Sequence, residues 1–184
     1  ITLQSATAKG ALSVTAGTGI LASSLVSSTA NIFAITARGG LQSQTVTGVT
    51  GVRLKATAGD LNVNTLSTTA GNVVLDAGAF ITLGSVTTPA LVDISAGTGL
   101  SAASLLSTGS SIDVDSVSGL LSISKATAKT DLDAQAVAGA LTVGTFTAAT
   151  AQLRSGTDMT LTTGTATGAL TVDSQGAASL GKLT

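Results

Sequence analysis

Cysteine, histidine, tryptophan, tyrosine and glutamate are all absent from this chain of 184 residues. Without cysteine there are no disulfides and no thiolate metal sites. Without histidine, tyrosine and glutamate the usual general acid–base groups are largely gone, and without tryptophan or tyrosine so are the usual platforms for sugar rings. Only Phe33, Phe80 and Phe146 carry aromatic rings, and Pro89 is the single proline. Charged side chains make up 9% of the chain, against about 25% in ordinary domains. The net charge is −1 with the eight basic residues scattered, so no basic patch for nucleic acid or anionic lipid is expected. No apolar run approaches the ~18 residues of a membrane helix, and neither end reads as a signal or sorting segment. Disorder is a poor reading as well, because disordered chains are poor in apolar residues and here these reach 43%.

What is present is repetition. Residues 16–25 read AGTGILASSL, and residues 96–105 read AGTGLSAASL. The separation of eighty residues suggests a period near twenty. Rows begun at Leu12, Phe33, Val52, Val73, Val92, Ile112, Leu132, Ala151 and Leu170 are 19 to 21 residues long. Two residues later in each row stands an apolar residue (Val14, Ile35, Leu54, Leu75, Ile94, Val114, Ala134, Leu153, Val172), and two further on a small one (Ala16, Ala37, Ala56, Ala77, Ala96, Ser116, Ala136, Ser155, Ser174). A second apolar set starts eight or nine residues into each row, at Ile20, Leu41, Leu61, Ile81, Leu100, Leu121, Leu141, Met159 and Ala178, with partners at +2 and +5. Ile1, Leu3 and Ala6 fit this second set, so the chain begins partway through a row, as a cut from a longer array would.

Alternation at i and i+2 is the period of a strand, and the i, i+3, i+4 spacing of a helix is missing. The step from +2 to +5 cannot be plain alternation, so the chain bends there. Glycines such as Gly17, Gly19, Gly39, Gly40, Gly97 and Gly99 gather between the two sets, where positive φ at tight corners is expected. Two or three short strands and their corners in about twenty residues make one triangular coil. A lone coil has no second layer against which to bury its inward side chains, so stability belongs to the stack. The predicted fold is all-β: a parallel β-helix of about nine and a half coils over residues 1–184, with strands ~4.8 Å apart. A leucine-rich repeat has a similar length, but its Leu and Asn signature is absent.

Phrases such as GALSVTAGTGILASSL (10–25), GDLNVNTL (59–66) and GALTVGTF (139–146) resemble the repeats of filamentous haemagglutinin. That family comprises large exported proteins of Gram-negative bacteria moved by two-partner secretion, and the surface proteins of contact-dependent inhibition carry similar arrays. The resemblance covers the whole chain. It implies a right-handed parallel β-helix in a secreted, surface-displayed protein concerned with cell adhesion or virulence, an outer-membrane transporter as partner, and a cell-surface receptor. Independently of the resemblance, the missing apolar run and basic patch lead us to expect no membrane insertion and no nucleic-acid partner.

No catalytic, cofactor-binding or metal-binding residue stands out. Asp93, Asp113 and Asp133 share one outward row position, with Asp115 and Asp131 close by. A weak cation site needs oxygen ligands of this kind, but the preferred reading is a solvated acidic stripe, since the calcium-binding nonapeptide repeat is missing. A hydroxyl column follows the +5 position (Thr7, Thr47, Ser67, Thr87, Thr127, Thr147, Thr165, Thr184), interrupted by Val26 and Leu106. Its mixed neighbours argue against an ice-binding face, and oxygens bonded to corner backbone are the expected explanation. Glycan-cleaving β-helices build clefts from long loops and paired carboxylates, and rows this uniform leave no long loop, so no enzyme is expected. The AGTG segments lack the Lys-Ser/Thr ending of a phosphate loop and read as corners. The leading expectation is a structural shaft segment of an adhesin or toxin-delivery filament. The alternative is a face that itself binds a host or bacterial cell-surface partner.

Overall fold

The computed structural model describes residues 1–184. It contains strands and no helix. Ten long strands form one sheet: β1 (Thr2–Ala8), β3 (Ile20–Ser27), β5 (Leu41–Gly48), β7 (Leu61–Thr68), β9 (Phe80–Thr88), β11 (Gly99–Ser107), β13 (Leu121–Ala128), β15 (Leu141–Ala148), β17 (Met159–Ala166) and β19 (Ala178–Leu183). Nine short strands form the other: β2 (Leu12–Ala16), β4 (Asn31–Thr36), β6 (Gly51–Ala56), β8 (Val73–Ala77), β10 (Val92–Ala96), β12 (Ile112–Ser116), β14 (Asp131–Ala136), β16 (Thr150–Ser155) and β18 (Leu170–Ser174). The chain alternates between the sheets, and each strand pairs in parallel with the strand one coil before and one coil after. The result is a β-solenoid of about nine stacked coils, roughly 43 Å tall at ~4.8 Å per coil.

Each long strand turns a corner within itself. In β7, Leu61, Val63, Leu66 and Thr68 are buried, while Asn64 and Thr65 are exposed side by side. Two consecutive outward residues break strict alternation, and the ladder skips the first of them: Val63 pairs with Leu83 and Thr65 with Ser85. Each coil therefore presents three inward segments, one from the short strand and two from the long one. Their side chains join a single cluster of 44 buried residues running the length of the stack.

The second apolar set stacks as its spacing predicts, with Ile20, Leu41, Leu61 and Ile81 successive partners. The first set needs one correction. Leu12 pairs with Ile32 and not with Phe33, and Ile32 pairs with Val52. Ile32, Ala34 and Thr36 therefore point inward, where Phe33, Ile35 and Ala37 were expected, and Phe33 is 38% exposed. With Ile32 as the start, the first three rows become twenty, twenty and twenty-one residues.

Positive φ, the expected reason for the corner glycines, holds at Gly99 but not at most of them. Only Gly51 and Gly99 have positive φ, 157° and 152°. At Gly99 the Phe80 ring lies against the bare Cα, so a Cβ would meet it at 2.7 Å. At Gly39, Gly78, Gly97, Gly119, Gly139 and Gly156 a Cβ would collide with a carbonyl of the coil beneath. Those glycines let the corners of successive coils approach one another closely.

Candidate functional site

The outer face of the short-strand sheet carries most of the charge organised by the fold. Each short strand turns two side chains outward, giving two parallel columns. The first runs Phe33, Arg53, Val74, Asp93, Asp113, Asp133, Gln152, and the second Ile35, Lys55, Asp76, Ser95, Asp115, Gln135, Arg154. Asp93, Asp113 and Asp133 are direct ladder partners, as the row position requires. Asp131 does not join them: it lies outside both columns, and its carboxylate accepts a hydrogen bond from the Thr150 hydroxyl.

The acidic stretch is incompletely neutralised. Asp133 Oδ2 lies 3.9 Å from Arg154 Nη1, while its Oδ1 is buried without a hydrogen-bond partner. Burial raises the pKa of Asp113 above the ordinary carboxylate range, and Asp115, Asp133 and Asp93 raise it further. Asp115 is raised by burial first, then by Asp133 and Asp93, with Arg154 acting in the opposite direction. Two or three coils below, the same columns are basic. Lys55 donates to Asp76 Oδ2 at 2.6 Å, and Arg53 is exposed and forms no ion pair. Reading the aspartates alone misses this segregation. It is visible in the sequence once Arg53 and Lys55 are assigned the same row positions as Asp113 and Asp115.

The outward hydroxyl column follows its expected explanation at Thr184, which donates to Gly164 O at 3.4 Å, and departs from it elsewhere. Thr47 meets Ser67 at 3.4 Å and Thr165 meets Thr184 at 3.2 Å, both through side chains. The hydroxyls that hold corner backbone stand one residue later and point inward. Ser27 donates to Gly10 O at 2.8 Å, and Ser107 to Ala90 O at 2.7 Å. Thr88 donates to Gly71 O at 2.7 Å and accepts from Ala90 N at 3.0 Å. The sequence signal was a small-residue column at +7 of the long strand (Ser27, Gly48, Thr68, Thr88, Ser107, Ala128, Ala148), hidden behind the more conspicuous threonines.

On the long-strand sheet, Gln42, Gln44, Asn62, Asn64 and Thr82 line an uncharged open groove of about 390 Å³, notched at Gly84. The AGTG segments lie at bends, between β2 and β3 and between β10 and β11. The chain matches no family model, no curated protein and no solved structure. Its reading rests on the coils and on these surfaces.

Proposed function

We propose that this chain is a shaft segment of a secreted, surface-displayed bacterial adhesin or toxin-delivery filament, holding a distal part away from the cell. The observation that supports this reading most directly is the uniformity of the stack. Successive short strands are 19 to 21 residues apart throughout, and no long loop leaves the rod to build a cleft. Nearly every residue either packs against the coils above and below or faces outward on a regular lattice. Such a design supplies length and surface, and the reading assigns the chain no catalytic role. The resemblance of phrases such as GALTVGTF to filamentous haemagglutinin repeats adds export by an outer-membrane transporter and display on a Gram-negative surface.

The test is a series of single-row deletions in the parent surface protein. Removing residues 52–72 joins the chain at equivalent positions, because Val52 and Val73 are ladder partners. The shortened rod should fold and lose about one strand spacing, ~4.8 Å, with export retained and adhesion or delivery declining only as reach declines. Removing ten residues should set one sheet over the other and disrupt the stack. One well-folded row deletion that alone abolishes function would defeat the shaft reading and locate a binding site in that row.

A further inference from the structure

The two outward columns of the short-strand sheet are self-complementary when one rod is laid against another with its coil order reversed. Rotation about an axis parallel to the strands keeps strand direction and reverses the stack, so each column faces itself. With the axis between β8 and β10, the coil of Arg53 and Lys55 faces the coil of Asp113 and Asp115. Arg53 and Asp113 share the first column, and Lys55 and Asp115 the second. We propose that this sheet face is an isologous interface in which two copies of this chain pair with opposite coil directions, Arg53 against Asp113 and Lys55 against Asp115.

By symmetry each contact forms twice, giving four ion pairs across the interface. Lys55 has three N–H donors, so its bond to Asp76 leaves it free to make a second. The other arrangement, with coil directions parallel, sets the first column against the second and brings Arg53 against Lys55. Only the antiparallel one sets both Arg53 and Lys55 against carboxylates, while Asp93 and Asp133 fall opposite Val74 and Phe33. It also provides cations to Asp113 and Asp115, which are crowded by Asp93 and Asp133 within their own chain. At the adjoining corner Val117 and Val137, 53% and 51% exposed, fall opposite Thr57 and Ala37. A face five residues wide and eight coils tall measures about 16 Å by about 38 Å. The pair thus covers roughly 1,200 Å² in total, above the ~1,000 Å² that a specific interface needs. This inference does not depend on the shaft reading. Row deletions test that reading in the parent protein, and the pairing is tested on the 184-residue chain alone.

The experiment measures association by sedimentation velocity, with folding monitored by circular dichroism. The unaltered chain should dimerise as concentration rises, and the affinity should fall at least tenfold when salt is raised about tenfold, because exposed charges are screened. Arg53→Asp alone and Asp113→Arg alone should each weaken self-association at least tenfold, since each places like charges opposite one another. An equimolar mixture of the two should recover the original affinity, because only the mixed pair matches both contacts. Arg53→Ser and Asp113→Ser serve as milder versions should a charge reversal disturb folding. The absence of cysteine permits a geometric check: a Ser13→Cys copy should crosslink to a Gln152→Cys copy, and neither to itself. A chain that stays monomeric to millimolar concentration would sink the proposal. So would a mixture that fails to recover, or self-crosslinking of the Ser13→Cys copy.

Discussion

Asp113 is stacked between Asp93 and Asp133 with Asp115 beside it on the same strand, and this crowding has a pH signature. Its carboxyl is held above the ordinary range by burial and then by those three neighbours. A carboxyl with a raised pKa binds its proton more tightly in the folded chain than in the unfolded one. Its ionised form therefore costs stability, and the cost disappears as pH falls through the raised value toward the unfolded value near ~4. Asp113→Asn should raise the melting temperature at neutral pH by roughly 1–3 °C, a modest effect because the group is partly solvated. The advantage should shrink as the pH approaches about 4. A gap that is constant or widens on acidification would contradict this account. The glycines offer a second test at this scale. Nothing lies within 4 Å of a Cβ built on Gly17, at the base of the stack, whereas one on Gly119 runs into the carbonyl of Thr98. Gly17→Ala should be neutral or stabilising by up to about 1 kcal/mol through the unfolded chain. Gly119→Ala should cost about 1–3 kcal/mol. Denaturant melts of the two variants, compared with the parent, decide the matter.

Among the elements, the long strands were the more legible. Their first inward residue is large from Ile20 through Met159 and its outward neighbour mostly polar, so the second apolar set falls into register along its whole length. The short strand β4 was legible only in outline. Its sequence IFAIT is apolar in both phases, and the larger Phe33 and Ile35 outcompete Ile32 and Ala34 on size alone. A one-residue slip sends every side chain to the other face, so size misleads wherever both faces are apolar. The spacing to Leu12 and Val52 holds the decisive information, because parallel pairing must satisfy both neighbouring coils. Among the corner glycines positive φ accounts for Gly99, and most of the others are constrained by the coil beneath, which a single row does not contain. The buried hydroxyls were missed for a similar reason: their acceptors lie 16 or 17 residues away in the preceding coil or just beyond the strand end. The contrast between the two hydroxyl columns is testable. Thr88→Val strands the N–H of Ala90 and should cost about 1–3 kcal/mol. Thr127→Val, on the half-exposed column, should change stability by less than about 0.5 kcal/mol. Equal effects in urea titrations would mean that the inward hydroxyls contribute only their volume.

For the whole molecule, the direction of its hydrogen bonds determines how the rod meets a mechanical load. Ladder bonds in these parallel sheets are slanted but cross from each strand to the next coil, so they lie mainly along the rod. Bonds at the corners run the same way, from Ala37 N to Ala16 O at 3.1 Å and from Val137 N to Ser116 O at 2.8 Å. Tension between the two ends therefore peels the outermost coil from its neighbour a few bonds at a time, and does not shear whole strands past one another. Each coil released gives up one rung of ~4.8 Å and frees about twenty residues, which extend to roughly 66–72 Å. Pulling a single rod by its termini should give a train of low, evenly spaced force peaks, each lengthening the tether by about 61–67 Å. One abrupt extension of the whole chain would show that the coils fail together. Anything carried at the end of such a rod would hang from a ratcheting spring: stiff when slack, able to pay out many times its resting length under a tug, and able to rewind from the coils still in place.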